Sequence, residues 1–564
     1  MGLWILEPKS NEPVPGTVHL QREGERKIKN TEHLKHGTGM HANLVLVPQP
    51  SNSPNDPLNW SQLHKWYQSI FLSMGTGLMA GTHNFVNPAN ALLARHFKTS
   101  ISTISRSVSI ILLTLGISAV ATSPAARIWG KRPVFLVSNV VAILGYVIVV
   151  ARPDSLVALY VGRAIHGFGI AALEYLVSST IGDLFFVHER AFHLAIWHYA
   201  LSGGNAIGQV IASQIVQAQG WVWPFKYTCI VIAIYTIILF FTCSESTYNR
   251  AASLNTDMRE EIADDSSDDG AVVERIEAGF SGSEKSTATP TPETVKDVEK
   301  AQQTTESRIT YWQSLKVYNG RFSDESLLRA FITPWSAYLL PAVLWTAYAY
   351  GCTVAFATSF STALAQIFTK PPYNFTTSQV GLTVLSAFTG ATLGNMIGGP
   401  LCDWLVKYMS KRNKGVYEPE FRIVLTVPAF VFGLMGFWGF GLSLEAKSHW
   451  MAPVFFFGLA TFSGSVQALV SNAYLLDCHR AHAQDGYAAV TIARGLFSFT
   501  MTFVINSWIE RDGLRTVYFW IGTLHGISCI WGMVLYVYGK RVRLAVSKSQ
   551  WIQSKLGTSR DVKT

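Results

Sequence analysis

Charge is scarce in this chain. Asp, Glu, Lys and Arg make up 14% of its 564 residues, where a soluble domain carries roughly 25%. With 49% hydrophobic and 12% aromatic residues besides, the composition excludes an ordinary water-soluble globule and points to a chain that lives in a bilayer. Cysteine is scarce too. The six (Cys229, Cys243, Cys352, Cys402, Cys478 and Cys529) lie scattered in or beside apolar runs. None has a neighbour at metal or redox spacing, so neither a disulfide framework nor a zinc site is expected. A phosphate loop, a helical His-x-x-x-His and a Gly-x-Ser-x-Gly turn are all missing. The nearest approach to a metal pair, HRAH at 479–482, lacks acidic ligands at metal spacing. No catalytic residue, metal or cofactor is expected, and the chain does not read as an enzyme. The first ~60 residues are polar and lack the short apolar core of a cleavable signal.

What is present is a series of long apolar runs. A membrane-spanning helix needs about 20 mostly apolar residues. Twelve such stretches fall near 66–87, 104–124, 133–151, 156–181, 194–216, 224–243, 335–357, 379–401, 422–443, 451–474, 490–509 and 517–538. Several end in Trp or Tyr, as the headgroup belt favours. The net charge of +9 gathers beside these runs rather than in a patch, so the bilayer and not nucleic acid is the expected partner. Arg127, Lys131, Arg132, Arg190, Lys407, Lys411, Arg412, Lys414, Lys540, Arg541 and Arg543 fall on one side if both termini are cytoplasmic, which is the orientation the positive-inside rule selects. Asn374-Phe-Thr is a glycosylation sequon that then lands outside.

Residues 251–308 hold 14 acidic and 6 basic residues among Ser, Thr, Gly and Pro. Such a stretch cannot bury enough apolar surface to fold alone. The expected plan is therefore a cytoplasmic tail (1–60), a six-helix bundle (61–245), a disordered cytoplasmic linker (246–333), a second six-helix bundle (334–540) and a C-terminal tail (541–564). The fold class is an all-α multi-pass membrane protein, with twelve helices in two pseudo-symmetric bundles. The repeat is visible in the loops. SPAARIWGKRP (123–133) follows the second run, and GPLCD (399–403) with Lys407, Lys411 and Arg412 follows the eighth. Repeated halves that rock about a central site are a recurring plan of secondary transporters. The basic turns read either as a latch (Gly130, Lys131, Arg132, Asp403, Arg412) or as simple topology anchors.

These motifs resemble the major facilitator superfamily, and within it the fungal twelve-helix drug:proton antiporter group, over about 56–543. SPAARIWGKRP resembles the family's loop between helices two and three. LYVGRAIHGFG (159–169) resembles its fourth-helix signature, which implies a proton-coupling role for Arg163. DPLNW (56–60), GDLFFVHER (182–190), SESTYNR (244–250) and NKGVYEPEFR (413–422) are similar to stretches of the fungal group. Arg127 stands where the family carries an acid, and Gln209 where its fifth-helix motif ends in Pro.

Charges inside the bilayer are costly and mark function by default. Arg163 and Glu174 are 11 residues apart, so they share a helix face about 16 Å apart along the axis. With His166, one turn from Arg163, they are the expected proton-coupling set. His198, Ser202, Asn205 and Gln209 recur at i, i+4, i+7 and i+11, a continuous polar face. Gly203, Gly204 and Gly208 beside it suit close helix packing. His83 and Asn84, His198, Asn205, Gln209, Trp345, Tyr348, Tyr350, Gln467 and Asn472 are the candidate substrate contacts. The resemblance adds weight, since helices one, four, seven and ten line the family's cavity. Arg494 is read as snorkelling from a helix start. The leading expectation is proton-coupled export of small lipophilic molecules from a plasma membrane by a monomer. Proton-coupled uptake of a cationic nutrient such as a polyamine stands behind it, and a non-transporting sensor is third.

Overall fold

The computed structural model describes residues 4–7, 14, 16–19, 50–248, 308–323, 326–413, 416–479 and 483–556. Twelve helices of 20 residues or more dominate it: α1 Gln62–His83, α2 Ile101–Trp129, α3 Lys131–Ala151, α4 Leu156–Leu184, α5 Val187–Gln219, α6 Trp223–Thr242, α7 Pro341–Phe368, α8 Thr377–Arg412, α9 Thr426–Glu445, α10 Met451–Cys478, α11 Ala483–Asp512 and α12 Leu514–Lys548. Ten of these stretches are long and apolar enough to cross a membrane by composition alone. The other two, α1 and α5, are as long but more polar, because one face of each lies against a neighbour or a cavity rather than lipid.

The starts are chemically specified. Asp56 caps Leu58 and also accepts from the Ser51 amide, Lys65 returns to the Leu58 carbonyl at 2.8 Å, and Ser61 caps α1. Side-chain oxygens at the N-cap satisfy amides that the helix leaves open. Thr376 and Gln379 form a capping box on α8.

The chain alternates between two faces. Both described ends lie on one, here the terminal face; the α7–α8 loop with exposed Asn374 lies on the other, the far face. The halves α1–α6 and α7–α12 meet where α2 packs along α11 and α5 along α8. Gly116 and Gly495 allow the first crossing: a Cβ on Gly495 would lie 2.9 Å from the Gly116 Cα. Within the first half, Gly77 and Gly81 of α1 face Gly204 and Gly208 of α5, the close seam that small residues permit.

Four expectations move. The seventh run, expected at 335–357, is a helix over Pro341–Phe368, because Leu327–Ser336 forms a separate short helix before it. Most of the linker lies outside the described residues, but 308–323 and 326–333 are ordered against the first bundle or helical. The last helix runs to Lys548, beyond the expected edge at 540. The start of the chain is also fastened. Val18–His19 (β1) pairs antiparallel with Val416–Tyr417 (β2). Ile5 packs with Met409, Tyr417 and Phe421. The Leu6 amide donates to the Val537 carbonyl at 3.0 Å, and Glu7 pairs with Lys540 at 2.7 Å.

Candidate functional site

A cavity of about 210 Å³ lies between the two halves, walled by α1, α2, α4 and α5 on one side and α7, α8, α9, α10, α11 and α12 on the other. Of the sequence candidates, His83, Asn84, Glu174, His198, Asn205, Gln209 and Tyr350 line it. Its charged centre is Glu174. His83 Nε2 stands 3.6 Å from one carboxylate oxygen and Arg494 Nη2 3.4 Å from the other. Glu174 and His83 are on the first half and Arg494 on the second, so the cluster ties the halves together. The approach leaves a gap: Glu174 Oε2 and His83 Nε2 are buried with no hydrogen-bond partner.

Arg494 does not snorkel; it is buried. The apolar run suggested a helix start near 490, whereas α11 begins at Ala483, which puts Arg494 about three turns inside. Sequence reading also missed Phe388 and Asn395 on α8 and His525 on α12, all of which line the cavity. His525 is held by Ser463 Oγ at 3.1 Å and the Ala429 carbonyl at 3.3 Å. A lone His in an apolar run carries no pattern that would have marked it.

Arg163 and His166 sit apart from the cavity wall. His166 Nε2 lies 2.8 Å from the Tyr146 hydroxyl and 3.1 Å from Thr82 Oγ1, knitting α4 to α3 and α1. Arg163 lies over the Phe225 ring at 5.8 Å, with Nε and Nη2 buried and unpartnered. Trp345, Tyr348, Gln467 and Asn472 also lie outside the wall. Trp345 donates to the Ser528 carbonyl at 3.1 Å, Tyr348 packs on Phe497 and Trp531, Gln467 meets Cys529, and Asn472 bonds back to Ala468.

Amides and hydroxyls bind the halves toward the far face. Ser361 Oγ donates to Gln209 at 2.5 Å, and Asn87 donates to Ser361 and Thr362 at 3.3 Å each. Asn506 pairs with Ser105, and Ser378 with Gln214 at 2.7 Å. Asn84 meets Asn205 at 3.3 Å beside them, within the first half. Gln209, where the resemblance expects Pro, is therefore a cross-half contact.

The terminal face is ionic. Lys131 pairs with Asp183 at 2.5 Å, and the amides of Lys131 and Arg132 donate to Glu245. Gly130 has φ +95, and a Cβ there would strike the Glu245 carboxylate, so this turn requires glycine. In the second half Arg422 joins Asp477 at 2.5 Å and Asp403 at 3.6 Å. Tyr417 also bonds Asp477; burial, and then that carboxylate, push its phenol above the usual range. Arg543 holds Glu418 and Glu420 at 3.0 and 2.7 Å. A carboxylate after α6 thus meets the α3 start, while a cation on α12 meets carboxylates before α9: the same junction with the charges exchanged. The cluster at Gly130, Lys131 and Arg132 bonds within its own half and to the returning linker. Arg412 stands over Tyr408 at 4.9 Å rather than joining Asp403. Among the described residues, Arg127–Asp485 is a cross-half ion pair on this face, at 3.6 Å.

The chain resembles known carriers throughout its length. It is 25% identical over 561 residues to an uncharacterised MFS-type transporter of Schizosaccharomyces pombe, covering 96% of this chain and 94% of that one. It is 22% identical over 507 residues to the efflux pump radE of Floropilus chiversii, covering 89% and 85%. The inward-open structure of the xylose transporter XylE from E. coli superposes with a TM-score of 0.53 at 12% identity, over 83% of this chain and 96% of that one, and shows the fold alone. The profile of the Major Facilitator Superfamily matches residues 72–500, and with two six-helix halves around a central cavity this multi-pass membrane protein belongs to that superfamily of transporters.

Proposed function

We propose that the chain is a proton-coupled carrier that exports small lipophilic molecules by alternating access, from a plasma membrane in which both termini are cytoplasmic. The observation that carries this reading is Glu174, a buried carboxylate facing the cavity, approached by the His83 imidazole of its own half and by the Arg494 cation of the other. At 3.4 Å and an effective dielectric of about 20, the Glu174–Arg494 attraction is about 5 kcal/mol before desolvation is counted. Protonating Glu174 removes that attraction. A proton can therefore loosen a contact between the halves, which is what coupling requires. His83 is the second group able to take the proton; Arg163, remote from the cavity, acts on packing of α4 rather than on cargo.

The rest of the wall suits a lipophilic cargo. Leu112, Leu115, Leu201, Val354, Phe388 and Phe437 supply apolar surface, while Asn205, Gln209 and Asn395 supply directional contacts. Pockets for small molecules have this mixture. The name efflux pump on one relative favours export. Uptake of a cationic nutrient is the second reading and draws on Glu174 and Tyr350, but Arg494 already supplies Glu174 with a cation. Purified protein in liposomes, given an imposed pH gradient and a panel of neutral and cationic fluorescent compounds, tests both. Flux should collapse with a protonophore and fall at least tenfold in Glu174→Gln. Gradient-independent flux would sink the coupling, and loss confined to cationic compounds would favour the second reading.

A further inference from the structure

We infer that residues 309–318, where the linker returns to the first half, form a membrane-surface anchor that lies in the headgroup layer and is held there by Arg132. Arg132 is buried, yet its guanidinium donates to three main-chain carbonyls: Ser314 at 2.6 Å, Lys316 at 2.5 Å and Phe240 at 2.8 Å. Two of these belong to the returning segment and one to the end of α6. Downstream, the Phe322 amide donates to the Ile128 carbonyl at 2.8 Å. Thr310 and Gln313 close a capping box. The backbone of this stretch is thus fixed against α2, α3 and α6.

Its side chains point the other way. Trp312 is 78% exposed, and Ile309, Tyr311 and Tyr318 are each more than half exposed. So dense a cluster of large apolar groups is unusual on a water-facing surface. Its position identifies what covers it. The Tyr311 hydroxyl donates to the Phe241 carbonyl at 3.0 Å, and Phe241 is the penultimate residue of α6, in its last turn. That helix has 20 residues, about 30 Å, the thickness of the hydrocarbon core. Its exposed ridge of Ile230, Ile234, Ile237, Ile238 and Phe241 faces lipid and runs straight into the aromatic cluster. Tyr311 therefore lies at the core boundary, where Tyr and Trp are favoured. Exposed Lys316 and Arg308 are placed to meet lipid phosphates.

The test uses the full chain with Trp312→Cys, spin-labelled in nanodiscs of phosphatidylcholine with one-fifth phosphatidylglycerol; the parent chain, treated alike, supplies the background from native cysteines. Oxygen should relax the nitroxide more strongly than a water-soluble nickel chelate does. Adding Arg132→Gln should sharpen the spectrum and raise nickel access severalfold. Nickel access in the single variant equal to that of a spin-labelled peptide free in water would overturn the anchor, whatever the fate of the Arg132 variant. An unchanged spectrum in a folded Arg132→Gln protein would overturn the role of Arg132.

Discussion

Arg494 is the residue whose removal should matter most to folding. It is buried beside Glu174, so Arg494→Ala leaves a buried carboxylate without its cation. Breaking one partner of a buried pair costs about 3–5 kcal/mol, and a clear drop in the midpoint of thermal unfolding is expected. Glu174→Gln combined with Arg494→Gln should recover much of that loss, since replacing both charges is far cheaper than stranding one. If the double variant melts as low as Arg494→Ala, the two side chains are not coupled. Residue by residue, Glu174, His83, Asn205 and Gln209 were legible because polar groups in an apolar run stand out. Arg494 was equally visible but was assigned the wrong depth. Trp345, Tyr348 and Gln467 were on the expected helices but turned toward neighbouring helices, Asn472 bonds back to its own, and one chain's periodicity does not say which of two buried faces meets a cavity.

At the scale of elements, the helices follow from their apolar runs, but their ends do not. The bilayer limits the apolar part of a helix, not its hydrogen bonding; α8 spans 36 residues and α12 35, well past the ~20 that lipid demands. The register of α7 was missed because Leu327–Ser336 adds apolar residues just before it. Glycine spacing was the more dependable sign. Gly208→Val would drive a side chain into the Gly81 backbone, and overpacking of this kind costs about 1–3 kcal/mol or more; the yield of folded, monodisperse protein should fall sharply. Gly399→Ala is the control, because its Cβ would meet only the Leu469 side chain at 3.9 Å, and its yield should match the parent.

The whole molecule is fastened differently at its two faces. Far-face contacts between the halves are amides and hydroxyls; the terminal face has the Arg127–Asp485 ion pair, whose side chains are about a quarter exposed. A pair so accessible to water is worth at most about 1 kcal/mol, so Arg127→Glu should barely change the melting temperature. Its effect belongs to the rate at which the halves part: turnover in liposomes should shift severalfold and become less sensitive to salt, and Asp485→Arg in the same chain should restore it. Orientation is tested at this scale as well. With cytoplasmic termini, the exposed Asn374 on the far face should carry a glycan in a eukaryotic host, seen as an endoglycosidase-sensitive band lost in Asn374→Gln. Asn59-Trp-Ser, just before α1 on the terminal face, is a second sequon; a glycan found there instead would invert the molecule.

The pairing of Val18–His19 with Val416–Tyr417 crosses the covalent order of the chain. Residues 5–7 and 18–19 precede the first bundle yet are bolted to the second through Val537, Lys540 and Tyr417. When the halves rock, the first residues travel with the last helix. A fluorophore fused at the beginning of the chain would thus ride the second half, and its distance to a probe on α6 would read out the transport cycle while its distance to one on α12 stayed fixed.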